Sequence, residues 1–382
     1  MRFVAVIPLI ICGCEPENIE FNIESNKIER KTRYTINGIV PLSSDSVADT
    51  WRRPRINLLL SSGQRISAMF DTGANKSKLS LDGSNAYVDR AVLPDVGNIG
   101  YKYLRFIDSG TLDVRRVVRE RVNIANMPQG ASLELDFHLT KGDPSLASSQ
   151  HIGTGPRSNF TEAVGGFYGY LPNLWSEERR GWLALGNEAI NFVRMCDSDG
   201  SLKTFPLSTG QSRFLIPGSV QIGNDVMSNQ KSDWLMDTGG SPWYEVPSII
   251  FKTVVAAIEK DGKSKYTPPS PGRGQSRRGT VTYCKDAETR FPPLLFSYGF
   301  PGNEFTIRVN PQFTKRSQPS YLSPVRSDGS CILSVEASES PLGILAISTD
   351  ILDQFYFLLD SHKGQVGMCY KNRHTITQLS TV

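Results

Sequence analysis

Two Asp-Thr-Gly triplets stand far apart in the sequence, at residues 71–73 and 237–239. About 0.1 such triplet is expected by chance in a chain of this length, so a pair is not a random occurrence. Each triplet ends a short apolar run (Ile66 to Phe70 and Trp234 to Met236) and opens into a turn, where Gly permits unusual backbone angles. A single triplet would be no more than an Asx-turn at the end of a strand. The pair instead indicates two equivalent loops that each present one carboxylate.

The candidate catalytic residues are therefore Asp71 and Asp237. Two carboxylates in contact resist ionising together, so such a pair shares one proton. One member can then activate a water molecule while the other protonates the carbonyl oxygen or the leaving group of a substrate. These two loops predict acid-base hydrolysis.

The length and composition of the chain bound its architecture. A chain of 382 residues exceeds the usual size of one domain, and the repeated triplet predicts two lobes. The 33 Gly and 23 Pro, scattered between short apolar runs, favour a mostly β fold. The net charge of +4 is small and the basic residues are spread along the chain, so no nucleic-acid partner is expected.

The first 14 residues read as a secretory signal peptide. Arg2 precedes the apolar run Phe3–Cys12, which is too short to span a bilayer. A buried first strand and a lipoprotein-type signal lipidated at Cys14 are the alternatives. Residues 15–33 are assigned to a short pro-segment or linker, and residues 371–382 to a polar tail. No later run predicts stable membrane insertion, so a secreted location or an endomembrane, lysosome-like compartment is expected.

Four cysteines would remain after removal of the signal peptide: Cys196, Cys284, Cys331 and Cys369. An even number in an exported chain suggests two disulfides, and the spacing alone permits three pairings. With no Cys-x-x-Cys pattern and only four His, no metal site or cofactor is expected. Asn159 begins an Asn-Phe-Thr sequence and is a candidate glycosylation site.

The elements that must position the two carboxylates follow from hydrophobic patterning. Residues Ile56–Leu60 and Ile66–Phe70 are predicted strands, the second delivering the first triplet. Leu174–Phe192 is expected to contain helical stretches. Apolar residues at helical spacing over Pro247–Lys260 predict a helix that stops at Gly262.

A β-hairpin is predicted between the two triplets. Its strands lie within Tyr103–Val114 and Val117–Ile124, and its tip is Asp108, Ser109 and Gly110.

Taken in order, these landmarks resemble the pepsin-like, eukaryotic-type bilobal aspartic peptidases, from about Tyr34 to Tyr370. The resemblance implies a mostly β fold of two β-barrel lobes, residues 34–195 and 196–370, with a substrate cleft between them. It makes Asp71 and Asp237 the catalytic pair. It also implies that two apolar-apolar-Gly elements thread behind the catalytic loops, within Val164–Gly169 and within Leu342–Ile347. Phe355–Asp360 and Gln365–Tyr370 match the last two strands of the family.

The same resemblance assigns roles to further residues. The side chains of Thr72 and Thr238 would cross-link the catalytic loops, and the loop-supporting residues are Thr72, Gly73, Thr238 and Gly239. The hairpin would be a flap over the substrate, and Phe106 is the first candidate for its aromatic position and Tyr103 the second. The flap or substrate-binding residues are Phe106, Asp108, Ser109 and Gly110. The implied disulfides are Cys196–Cys369 and Cys284–Cys331.

The activity implied by the resemblance is aspartic endopeptidase activity. A water molecule held between two carboxylates would attack the peptide carbonyl and give a tetrahedral diol without a covalent intermediate. The expected partner is a peptide or protein substrate lying extended in the cleft, and the chain is expected to be a monomer.

Several positions depart from the family pattern. Ala74 and Gly240 replace the Ser or Thr whose hydroxyl favours the charged carboxylate, so the pair should keep its proton to milder acidity. Lys78 replaces a Trp that bonds the flap, and Ala346 replaces the Gly of the second apolar-apolar-Gly element. The altered flap keeps one alternative open, a non-catalytic binding or inhibitor protein on the same fold.

Overall fold

β-Strands make up most of the regular structure, as the sequence predicts. The structure is a computed structural model and describes residues 36–44, 53–81, 86–88, 103–106, 110–125, 127, 132–141, 150–172, 181–193, 202–207, 213–223, 232–239, 244–269, 279–300, 302–312, 320–338, 345–346 and 355–370. The residues from Thr35 onward belong to one compact unit. Residues 1–33 and 371–382, predicted as signal peptide, pro-segment and tail, lie outside the described residues.

The strands and helices of the described residues are numbered here in chain order. The strands are β1 (Gly38–Pro41), β2 (Ser43–Ser44), β3 (Pro54–Leu60), β4 (Arg65–Asp71), β5 (Ser77–Ser80), β6 (Tyr103–Phe106), β7 (Gly110–Ile124), β8 (Ser132–Lys141), β9 (His151–Gly153), β10 (Phe167–Pro172), β11 (Gly181–Leu185), β12 (Lys203–Pro206), β13 (Leu215–Ile222), β14 (Ser232–Leu235), β15 (Tyr244–Pro247), β16 (Tyr266–Thr267), β17 (Thr280–Val281), β18 (Leu294–Phe300), β19 (Asn303–Val309), β20 (Cys331–Ile332), β21 (Val335–Ser338), β22 (Leu345–Ala346), β23 (Phe355–Asp360) and β24 (Gln365–Tyr370). The helices are α1 (Asn159–Ala163), α2 (Asn187–Val193), α3 (Ser248–Glu259) and α4 (Ala287–Arg290).

Three larger sheets organise these strands. An eight-stranded sheet, in the order β2-β3-β4-β9-β5-β8-β7-β6, draws only on residues before 154. A five-stranded sheet, in the order β19-β18-β13-β14-β22, draws only on residues after 214. The six-stranded sheet β1-β11-β10-β23-β24-β12 combines three strands from each part of the chain. Two smaller sheets are β15-β21 and β16-β17-β20.

Each triplet follows a strand that has one antiparallel and one parallel neighbour. β4 pairs antiparallel with β3 and parallel with β9, which brings Asp71 opposite Gly153. β14 pairs antiparallel with β13 and parallel with β22, whose Ala346 lies opposite Leu235. The same local arrangement therefore occurs twice, in two different sheets.

The strand beside the first triplet is not the segment that was predicted to lie there. The segment parallel to β4 is β9, whereas the predicted segment Val164–Gly169 follows α1 and enters β10, which pairs with β11 and β23. The prediction was wrong because the apolar-apolar-Gly pattern is short and occurs at more than one place. At the second triplet, β22 does fall inside the predicted Leu342–Ile347 segment.

Buried aromatic side chains support both strands that lead to the triplets. Phe70 has no exposed surface and packs at ring-centroid distances of 6.2 Å from Phe160 and 6.0 Å from Tyr168. Trp234 is similarly buried, 5.0 Å from Phe296. Because such interiors are closely packed, the strands that end at the two triplets have little freedom to shift.

Several other predicted elements are present in the structure. The helix predicted over 247–260 is α3, which buries Ile250, Val254 and Ile258, and Gly262 follows it with a φ of 68°. The predicted strands Phe355–Asp360 and Gln365–Tyr370 are β23 and β24. The segment 174–192 is only partly helical, because its residues 181–185 form the buried strand β11 beside β10.

Cys284 and Cys331 lie at disulfide distance, with Cα atoms 6.0 Å apart, as the resemblance implies. Cys369 is buried and disulfide-bonded, but Cys196 lies outside the described residues, so its pairing stays a prediction. Asn159 is half-buried at the first position of α1, and its glycosylation also stays a prediction. None of the helices in the described ranges is long and apolar enough to cross a membrane.

Candidate active site

The structure brings the two triplet carboxyls together. Asp71 is the last residue of β4, and Asp237 lies two residues beyond the end of β14. Their side chains are hydrogen-bonded to each other, although 166 residues separate them in the chain. Asp71 is only 6% exposed, so its carboxyl is almost completely removed from water.

Reciprocal hydrogen bonds between the two threonines join the loops. The Thr72 amide donates to Oγ1 of Thr238 at 3.1 Å, and the Thr238 amide donates to Oγ1 of Thr72 at 3.1 Å. Each hydroxyl then donates across to the other strand, Thr72 to the Met236 carbonyl at 2.7 Å and Thr238 to the Phe70 carbonyl at 2.6 Å. Both threonines are buried, so these four bonds fix the separation of the two loops.

Replacing Thr72 by Val tests this cross-link. The variant keeps the shape of the side chain but leaves the Thr238 amide and the Met236 carbonyl without their partner in a buried site. A buried polar group without a partner costs about 1–3 kcal/mol, so we expect Thr72→Val to lower the free energy of unfolding by roughly 2 kcal/mol or more. Urea unfolding measures this loss.

Thr253→Val is the matched control for that measurement. Thr253 lies on α3, and its hydroxyl bonds an exposed carbonyl within the helix. Equal stability losses in the two variants would contradict a special role for the loop cross-link.

The two triplet glycines lie too close to the opposite carboxyl to be replaced by a larger residue without a shift. In each loop the glycine amide donates to its own aspartate, from Gly73 to Oδ1 of Asp71 at 2.7 Å and from Gly239 to Oδ1 of Asp237 at 2.9 Å. A Cβ added at either glycine would come under 3.0 Å from the carboxyl of the opposite loop. Each carboxyl therefore rests directly on the backbone of the other loop, and no side chain larger than hydrogen fits there.

Burial and the nearby Asp237 both raise the pKa of Asp71. Burial, the charge of Asp237 and the hydrogen bond with it raise the pKa of Asp71 well above its usual range. The Gly73 amide and the positive charge of Arg53 oppose this but do not cancel it. The pair therefore keeps one shared proton to milder acidity than an isolated aspartate would.

Two basic side chains lie buried beside Asp71. Nε2 of His151 is 3.2 Å from Oδ2 of Asp71. Lys78, on β5, is 3% exposed, and burial lowers its pKa to about 8 while the charge of Asp71 opposes that shift. Lys78 therefore carries its charge at acidic pH, close to the carboxyl pair.

Sequence reasoning identified Lys78 only as a departure from the family and missed His151. The strand that carries His151 pairs with β4 across 82 residues of chain, and no local pattern announces such a pairing. The one signal in the sequence was Gly153, because a glycine in a strand often marks the close approach of another backbone.

The predicted flap is present as a hairpin. β6 and β7 pair antiparallel, with Phe106 opposite Gly110, so Gly110 is the first residue of β7 and not part of the tip, where it was predicted. Asp108 and Ser109 lie outside the described residues, as does Gly240 after the second triplet. The roles of Phe106, Asp108, Ser109 and Gly110 in binding a substrate stay predictions.

Comparison with known proteins adds no assignment to this geometry. Neither the protein-family models nor the curated proteins searched contain a match to the chain. In the described ranges, no group of three or more His, Cys, Asp or Glu side chains is arranged to hold a metal ion. The function of the chain is therefore inferred from the geometry of the two loops.

Proposed function

We propose that this chain is an aspartic endopeptidase of the pepsin-like, two-lobed type. The observation that carries the proposal is the hydrogen-bonded contact between Asp71 and Asp237, held by reciprocal threonine bonds between two equivalent loops. A structural role alone does not account for a buried carboxyl, Asp71, in contact with the half-buried Asp237, because their mutual repulsion disfavours the fold once both would ionise.

The chemistry follows from one proton shared by two carboxyls. The ionised member accepts a proton from a water molecule held between them, and that water attacks the peptide carbonyl carbon. The protonated member donates its proton to the carbonyl oxygen, which gives a neutral tetrahedral diol. Transfer of a proton to the amide nitrogen then releases the amine and the acid, and the pair again holds one proton.

The distribution of strands supports the two-lobed architecture. The eight-stranded sheet carries the Asp71 loop and the five-stranded sheet leads to the Asp237 loop, while the six-stranded sheet uses strands from both parts. In the proposed architecture these parts are the lobes 34–195 and 196–370, and the carboxyl pair lies at the cleft between them. The substrate lies extended in that cleft, beneath the β6–β7 hairpin as a flap.

Export is part of the proposal. The apolar run at residues 3–12 and the disulfide-distance pair Cys284 and Cys331 support a secreted or endomembrane, lysosome-like location. We extend the proposal to a second disulfide between Cys196 and Cys369, which the buried, disulfide-bonded state of Cys369 supports.

Cleavage of an internally quenched apolar peptide across the acidic pH range tests this function. We expect a bell-shaped dependence of kcat/KM on pH, because activity requires the singly protonated pair. Activity should decline on the alkaline side as the pH rises through the raised pKa of the pair. A statine-type inhibitor should abolish cleavage. A folded protein that binds the inhibitor or a peptide but cleaves nothing at any pH would instead favour the non-catalytic binding protein.

A further inference from the structure

His151 lies directly beside one of the two carboxyls. Its Nε2 atom is 3.2 Å from Oδ2 of Asp71, although the two atoms are not aligned as a hydrogen bond in this structure. The Gly73 amide already donates to the other oxygen, Oδ1. The His151 side chain is 1% exposed, so bulk solvent does not reach the contact. The imidazole is thus the group that faces the second oxygen of Asp71 on this side of the pair.

The backbone around His151 holds the ring in place. β9 lies between β4 and β5 in the eight-stranded sheet. In that position His151 is paired with Met69 on the parallel side and with Lys78 on the antiparallel side. Because both neighbouring strands are fixed by their own pairings, the backbone of His151 is held in place, and the ring changes its position relative to Asp71 only by rotation of its side chain.

The charges that face His151 determine its protonation state. They are the carboxyl of Asp71 on β4, the ammonium of Lys78 on β5, and the guanidinium groups of Arg53 and Arg55 at the start of β3. Burial, followed by these three cations, lowers the pKa of His151 well below its usual value. Burial and these cations therefore favour the neutral imidazole, which carries one N–H.

We propose that His151 is a positioning residue of the carboxyl pair: in the working enzyme a small rotation of its imidazole aligns Nε2–H with Oδ2 of Asp71 and supplies the side-chain donor that Ala74 lacks. Its effect on catalysis rests on the proposed peptidase function. A carboxylate can only accept, so a neutral imidazole in this contact carries its hydrogen on Nε2. With Gly73 on Oδ1 and His151 on Oδ2, both oxygens of Asp71 are oriented.

The donor has a measurable consequence for the pH range of activity. A hydrogen bond donated to a carboxylate favours its ionised form, so His151 restrains the upward shift that burial imposes on Asp71. Removing the donor lets the pair hold its last proton to higher pH. The alkaline limb of the activity profile should then move up by about one pH unit.

The experiment compares the pH profile of kcat/KM in four proteins: the native chain, His151→Leu, His151→Gln and His138→Leu. Leu removes the donor, whereas the Gln amide nitrogen can reach the same oxygen. His138 is a matched control because it is a buried histidine on β8 whose Nδ1 lies 3.3 Å from the Ser77 carbonyl, away from the pair. We expect the alkaline limb to move up in His151→Leu only.

Equal displacement of the limb in the Leu and Gln variants, or no displacement in either, would overturn the proposal. Nitrogen NMR on the histidine-labelled native chain gives a readout independent of activity, and with only four histidines His151→Gln identifies the ring. We expect hydrogen on Nε2, with no titration across the acidic range. A ring with hydrogen on Nδ1 overturns the donor role. A protonated Nε2 in a chain that cleaves no peptide overturns the peptidase function instead.

Discussion

Asp71→Asn and Asp237→Asn are each expected to reduce kcat/KM for peptide cleavage by roughly 10³-fold, the range that general acid–base groups supply. Asparagine has the shape of aspartate and can still accept the hydrogen bond from Gly73 or Gly239. It cannot share a proton with the opposite carboxyl or accept one from water. Steady-state kinetics with the quenched peptide measures the loss.

Asp71→Asn should lower activity but increase the stability of the fold at neutral pH. Since the folded-state pKa of Asp71 is raised, the folded protein binds its proton more tightly than the unfolded chain does. The Asp71 carboxyl therefore does not destabilise the fold below its unfolded pKa of about 4. It destabilises the fold by an increasing amount as the pH rises toward the folded-state pKa. Asp71→Asn should raise Tm at pH near 7 and have little effect at pH near 3.

Asp233→Asn is the matched control for both measurements. Asp233 is half-buried on β14, the strand that leads to Asp237, and lies outside the carboxyl pair. It should leave kcat/KM unchanged. A native-like rate in either asparagine variant of the pair would refute the proposed mechanism, whatever happens to stability.

Parts of this site that depend on residues close together in the sequence could be predicted, whereas parts that depend on residues far apart could not. The Asp-Thr-Gly loops are local features, so sequence identified Asp71 and Asp237. The helix α3 has a periodic apolar pattern, whereas the strands β23 and β24 were expected from the resemblance; all three were predicted close to their observed bounds. A periodic pattern reports which face of an element is buried.

What sequence could not supply is the pairing of distant strands. β9 consists of three residues, too few to show a period, and its position between β4 and β5 is decided by tertiary packing. For this reason Val164–Gly169 was preferred over the true neighbour of β4, and His151 went unnoticed. Lys78 was noted only as the replacement of a Trp that bonds the flap. Its near-complete burial beside Asp71 becomes visible only once the sheet is assembled.

Gly73→Ala and Gly239→Ala are expected to lower kcat/KM by at least about 10²-fold while the chain still folds. The added Cβ would come under 3.0 Å from the opposite carboxyl, and the loops cannot separate because the threonine bonds join them. The carboxyl must therefore rotate or move by a substantial part of an ångström. Displacement of a reacting group by about 1 Å is enough for such a loss.

Gly63→Ala separates this effect from a general loss of stability. Gly63 lies in the turn between β3 and β4 with a φ of 83°, and a Cβ there meets no atom within 4 Å. Alanine costs roughly 1–2 kcal/mol in that left-handed conformation, without contact to the pair. We expect Gly63→Ala to lower Tm and keep kcat/KM. Full activity in Gly73→Ala would mean that the two carboxyls need not touch for catalysis, and the shared-proton mechanism would fail with it.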